Sequence, residues 1–140
     1  MKKIVFVLVL LVIILAVLLW LRSSEQISPN LLLIRYQRID FILNSDELQN
    51  ITKDDFKTKQ GADFQGWKIR DILQQHGIDK FAYLIFHSAD GGSLRLPAEE
   101  TENAYFIEMK DAPSLSFRLI LPYDEFKQRW LKFVNRIEVE

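Results

Sequence analysis

The sequence predicts an α+β protein, with one N-terminal transmembrane helix followed by one mixed, sheet-rich domain. Three observations predict it. An uncharged apolar run fills Ile4 to Leu21. Short β-branched and aromatic segments, separated by turn residues, recur from Leu31 to the end of the chain. One stretch, built on Ile69, Ile72 and Leu73, carries apolar residues at helical spacing.

The N-terminal run comes first. Its 18 residues contain no charge or strongly polar group. As a helix they span roughly 27 Å, close to the hydrocarbon thickness of a bilayer. Lys2 and Lys3 precede the run, and Trp20 stands near its far end, where an indole prefers the interface. The two lysines and the terminal amine outweigh Arg22, so the N-terminus is expected in the cytoplasm and the domain outside it, periplasmic or extracellular. A cleaved signal peptide is the competing reading. It needs small residues at the cleavage site, and Val17-Leu18-Leu19-Trp20-Leu21-Arg22 supplies bulky ones. Acylation as a lipoprotein is excluded by the absence of cysteine. The organisation is therefore residues 1–22 as signal-anchor, 23–30 as a polar tether containing Pro29, and 31–140 as one domain.

Charge narrows the function classes. Of 18 basic residues, Lys2, Lys3 and Arg22 flank the apolar run, leaving 15 against 19 acidic ones, a formal −4. A nucleic-acid partner needs a basic face, so none is expected. With no Cys, disulfides, thiolate-held metals and cysteine nucleophiles are excluded.

Along the domain, Leu31–Tyr36 and Ile39–Leu43 read as strands, and Asn44-Ser45-Asp46 resets the chain. Thr52 with Asp55 has capping-box spacing and predicts a short helical turn. Lys53–Gln60 is polar, with little apolar content beyond Phe56. The helix on Ile69, Ile72 and Leu73 follows Gly66-Trp67 and stops at Gly77. Ala82–His87 is a buried strand. Asp90-Gly91-Gly92 turns the chain into a second arm, Ser93–Leu96. Ala104–Met109 and Phe117–Pro122 are further strands, with a loop at Ala112-Pro113-Ser114 between them. Leu131–Val139 closes the chain as a strand with Leu131, Phe133, Ile137 and Val139 on one side. Trp67, Trp130 and Phe133 are expected in the core, since aromatics dominate burial in a small domain.

Three segments carry a family likeness. They are Phe64-Gln65-Gly66-Trp67-Lys68-Ile69-Arg70-Asp71-Ile72-Leu73 with Gly77-Ile78, then Leu84–Gly91, ending in Ser88-Ala89-Asp90-Gly91, and Phe117–Pro122 with Trp130–Val139. In order and spacing, over roughly residues 40–140, they resemble the molybdopterin-binding domain of the sulfite oxidase family. The resemblance implies a molybdopterin site in which a cysteine before the helix entry ligates molybdenum. The corresponding stretch, about Lys57 to Gln65, has no cysteine. The resemblance also implies a glycine-bearing loop near the cofactor phosphate. Tyr123–Arg129 stands there without glycine, and Asp124 and Glu125 oppose an anion that Lys127 and Arg129 attract. The chain thus looks like a minimal, cysteine-less relative.

Candidate site residues follow. His87 ends a strand and is either a polar cap or a ligand. Asp90 belongs to a turn that closes a hairpin or brings backbone to a ligand. Arg95 and Arg118 lie on strands, where the resemblance implies arginines that bind an anionic substrate or cofactor. Lys127, Arg129 and Lys132 are either a solvated basic edge or an anion or headgroup site. No residue is assigned to catalysis or metal. The expected function is a membrane-anchored, non-catalytic binding module that holds a partner protein or small ligand outside the cytoplasm, without a cofactor. The alternatives are a molybdopterin-binding oxidoreductase subunit and a small accessory or assembly subunit of a membrane complex.

Overall fold

The computed structural model describes residues 1–24, 32–110 and 116–140. The expected tether and the loop at Ala112-Pro113-Ser114 lie largely outside them. Helix α1, Lys2–Ser24, is apolar on every side and long enough to cross a membrane, at about 35 Å.

The domain opens with β1 (Leu32–Tyr36) and β2 (Ile39–Leu43), an antiparallel pair in which Tyr36 stands opposite Ile39. Gln37 and Arg38 form the turn at φ 50° and 66°. Both angles are positive, as in a type I′ hairpin, which matches the strand twist. Neither residue is glycine, so each costs about 1 kcal/mol.

Helix α2, Ser45–Gln49, follows at once. Asn44 caps it by accepting from the Glu47 amide at 2.9 Å, and Leu48 is buried. The helical turn expected from Thr52 does not form. The chain there enters β3 (Asp54–Lys57), which pairs antiparallel with β4 (Asp63–Lys68). Asp54 and Asp55 are spent on an edge strand, where charged residues are favoured. The real cap lies eight positions earlier, at Asn44. Strand β4 takes in Trp67, so Phe64 to Lys68 is strand and only Ile69–Gln75 is helix, α3. Ile69, Ile72 and Leu73 are all buried, as the spacing predicts. Gly77, at φ 72°, ends α3 with the Gly77 amide on the Gln74 carbonyl and the Ile78 amide on the Leu73 carbonyl, a Schellman closure.

The remaining elements are β5 (Tyr83–Ser88), β6 (Ser93–Pro97), α4 (Ala98–Thr101), β7 (Tyr105–Glu108), β8 (Phe117–Ile120), a 3-10 turn at Lys127–Arg129, and β9 (Val134–Val139). Strand β9 is the junction. It runs parallel to β1 (Ile34 opposite Ile137), antiparallel to β5 (Phe86 opposite Ile137), and meets β8 through Phe117 and Val134. The path β2-β1-β9-β8-β7-β4-β3 therefore branches at β9 into β5 and β6. The two sheet halves close over one core. Phe86 of β5 meets Phe106 of β7 edge-on at 5.9 Å, and Phe117 of β8 meets Trp67 of β4 at 6.1 Å.

The last strand departs from expectation. His87 is opposite Arg136 but Ser88 is opposite Val134, so Asn135 is an extra residue, a β-bulge. The bulge breaks the two-residue period, and Val134 and Ile137 are both buried. Phe133, at φ 56°, turns outward and is 37% exposed; it is not core, whereas Trp67 and Trp130 are.

Candidate functional site

Strand alternation puts Leu32, Ile34, Leu84, Phe86 and Ile137 into the core. Leu33, Arg35, Arg136, Glu138, His87 and Arg95 fall on the opposite face of β1, β9, β5 and β6. Charge runs across that face. Arg35 holds Asp40 of β2 through two bonds, at 2.8 and 3.1 Å. Glu138 lies 3.9 Å from Arg35, 3.6 Å from Arg136 and 3.2 Å from His87 Nε2. The hydrogen bond from Arg35 holds the Asp40 carboxyl below its ordinary range. Arg35 is thus already neutralised, and the one carboxylate of Glu138 serves both Arg136 and His87.

Where β5 leaves the sheet, this face opens into a recess of about 330 Å³. Leu33, His87, Ser88, Gly92, Asn135 and Arg136 contribute to its lining. The turn beside it is internally satisfied. Asp90 accepts from the Ser88 hydroxyl and from the Gly92 amide at 3.2 Å, and the Ser88 hydroxyl also reaches the Lys132 carbonyl at 2.6 Å. Those bonds, that of Ser88 above all, hold the Asp90 carboxyl below its ordinary range. The other wall is not satisfied. His87 Nε2, despite its distance to Glu138, and Arg136 Nε are buried atoms without a hydrogen-bond partner. A buried polar atom left unpaired costs about 1–3 kcal/mol, so this wall is the less settled side of the recess.

No protein-family model matches the chain, and no curated protein matches it.

The expected site residues divide among separate surroundings. His87 lines the recess; Asp90 belongs to the turn beside it, bonded to Ser88, and Lys132 reaches that turn through its carbonyl only. Arg95 sits toward the other end of the hairpin, bound to Glu140 at 2.8 Å with its guanidinium 3.7 Å from the centre of the Tyr83 ring. Arg118 is on β8, 5.5 Å from the Trp130 ring, which Lys127 approaches to 5.3 Å. Its Nε is also buried and unpaired. Arg129 is taken up by acidic partners, Asp124 first and Glu100 second, which raise its pKa above the ordinary arginine value. Glu125 is taken by Lys59 at 2.8 Å, which lowers its pKa. The stretch that the resemblance places near a cofactor phosphate therefore has its arginine and both its carboxylates engaged with other side chains or with each other. Among the described residues, no group of three or more His, Asp or Glu side chains is arranged to hold a metal.

Sequence reasoning missed Arg136, Asn135 and Glu138. Arg136 and Glu138 alternate on a strand, which is a signal for one solvent face. Their meeting with His87 depends on the pairing of β5 with β9, about fifty residues apart, and on the bulge at Asn135.

Proposed function

We propose that this chain is a membrane-anchored binding module that holds an anionic group, on a small ligand or a partner protein, in the recess beside His87 and Arg136. Helix α1 anchors the chain, and the flanking lysines favour a domain outside the cytoplasm. The scaffold is read as a sulfite-oxidase-like domain from which the metal-binding thiolate is missing; a scaffold can persist when its chemistry does not. One observation carries the reading. Arg136 and His87 stand side by side at the wall of the recess with Glu138 as their shared carboxylate, which lies 3.6 Å from Arg136, beyond hydrogen-bond reach. An incoming anion gives the Arg136 guanidinium the close partner that Glu138 does not supply.

The oxidoreductase alternative draws less support from the geometry. It needs arginines, lysines and backbone around one cofactor; Arg118 and Lys127 share the Trp130 ring, but Arg95 and Arg129 are held apart by Glu140 and by Asp124. The accessory-subunit alternative is favoured by one feature: α1 has no polar stripe, so all its sides are open to a lipid or helix neighbour.

The test uses the full chain in detergent micelles with inorganic phosphate as probe. Phosphate should raise the melting temperature of the native chain, and Arg136→Ala should abolish the rise. A rise of equal size in Arg136→Ala overturns the choice of recess. Molybdenum and pterin fluorescence at one equivalent per purified chain overturn the binding-module reading itself.

A further inference from the structure

One outer edge of the sheet is β2, and its sequence, Ile39-Asp40-Phe41-Ile42-Leu43, is unusual for an edge. Natural edges are blunted by lysines, prolines or bulges. Here the five residues pair with β1 without a break, and the single charge, Asp40, is held by Arg35. Two large β-branched side chains stand in the open: Ile39 is 57% exposed and Ile42 is 56% exposed.

The hairpin fixes which backbone groups are free. In a two-residue type I′ hairpin, the closing pair, Tyr36 and Ile39, exchanges hydrogen bonds. Bonded and non-bonded pairs then alternate. Ile39, Phe41 and Leu43 turn their amides and carbonyls to β1, and Asp40 and Ile42 turn theirs outward.

We propose that β2 pairs antiparallel with β2 of a second copy of this chain, about a two-fold axis through Phe41. Only an axis at Phe41 overlaps all five residues of both strands. It sets Asp40 opposite Ile42 of the second copy and Ile42 opposite its Asp40. Those are the residues whose backbone groups are free, and each pair exchanges both bonds. The register also suits the side chains. No charge faces a like charge, as it would with the axis at Asp40. The half-buried Phe41, packed against His76, lies at the axis, and Leu43 stays in the core of its own chain. An isologous contact of this kind closes on itself and leaves no further β2 edge.

The anchor assists the pairing, and this part rests on the membrane reading above. Ser24 and Leu32 are eight residue steps apart, so β1, with β2 beside it, is held within about 29 Å of the end of α1. Two copies in one bilayer thus meet at a raised effective concentration.

The chain has no cysteine, so introduced thiols report cleanly. Two differently tagged full-length chains, Asp40→Cys and Ile42→Cys, are co-expressed and mildly oxidised in membranes. The cross-tag disulfide should exceed each same-tag disulfide several-fold. It should also exceed the product from Tyr83→Cys, a partly exposed position away from β2. Equal yields overturn the pairing. A second measurement keeps Asp40 in place: the mass of the full chain in lipid nanodiscs. Ile42→Asp sets like charges against Asp40 of the second copy and should weaken the dimer at least tenfold. Ile42→Lys sets opposite charges there and should preserve it. A dimer that survives Ile42→Asp, or one lost equally in both variants, rejects the register. Carbonate-washed membranes from the same cells show separately whether the chain is anchored.

Discussion

Gly66→Ala is expected to destabilise the domain by about 2–3 kcal/mol for a purely steric reason. Gly66 does not need glycine for its dihedral angles, because it is not among the positive-φ residues. It needs glycine for space. A Cβ built there lies 2.9 Å from the Ile107 methyl carbon and closer still to the Phe106 carbonyl oxygen. The carbonyl is backbone and cannot swing aside, so β4 must move off β7. That movement strains the rungs Trp67–Phe106 and Lys68–Tyr105. Weakening two backbone bonds costs about 1 kcal/mol each, and misplacing the buried rings of Trp67 and Phe106 adds about 1–2 kcal/mol. The lower unfolded-state entropy of alanine offsets roughly 0.5–1 kcal/mol. For a domain of this size the net loss corresponds to about 10 °C in Tm. Thermal melts of the full chain in detergent, followed by near-ultraviolet circular dichroism, measure it. A Tm within about 2 °C of the native value would refute the reasoning, since it would mean that the strands separate at no cost. The outcome also bears on the family resemblance, in which Gly66 belongs to a helix-entry motif. In the structure it is a mid-strand residue whose missing side chain lets β7 approach.

Other consequences follow from single features. Replacing Gln37-Arg38 by Asn-Gly removes two strained left-handed residues and should raise stability by about 1 kcal/mol, read as a higher denaturant midpoint at unchanged slope. The Asp90 carboxyl, bonded by Ser88 and Gly92, titrates below its unfolded value of 3.8. Its contribution to stability is therefore fully present above that unfolded value and disappears as pH falls through the lower folded one. Ser88→Ala should move the Asp90 titration, followed by carboxyl chemical shift, back toward the ordinary value; an unmoved midpoint would exclude the hydroxyl as the main cause. Deleting Ile4–Leu21 should transfer the chain from carbonate-washed membranes to the soluble fraction, and retention in the membrane would point to a second attachment.

The elements readable in the sequence are those whose evidence is local. Ile69, Ile72 and Leu73 share one helix face, and Gly77 stops it. The β5–β6 hairpin follows from an apolar strand and an Asp-Gly-Gly turn. Strands β3 and β4 were obscured because one is a charged edge and the other runs without a loop into α3, so periodicity has no boundary to mark. Thr52 is the expected start of a short helix, and the structure instead caps one at Asn44, which the sequence marks only as a break in the chain. The choice lay with Leu48, whose burial stabilises the segment after Asn44, whereas Asp54 and Asp55 could be placed on an edge.

The recess was readable only in its fragments. His87 stands out as a polar end to an apolar strand, yet its significance comes from what lies beside it. Arg136 reaches it because β9 inserts between β1 and β5, so that Arg136 has Leu33 on one side and His87 on the other. The bulge at Asn135 then shifts the register by one residue, which keeps Arg136 on the open face while Val134 stays in the core. Without the bulge, a core position at Val134 would put Arg136 in the core as well, since the two residues are two apart on a strand. The extra residue relieves that conflict. It lets one short strand bury Val134 and Ile137, three positions apart, and still present Arg136 and Glu138 to solvent beside His87. A sheet interior that required strict alternation could not assemble this site, and for that reason alternation alone could not reveal it.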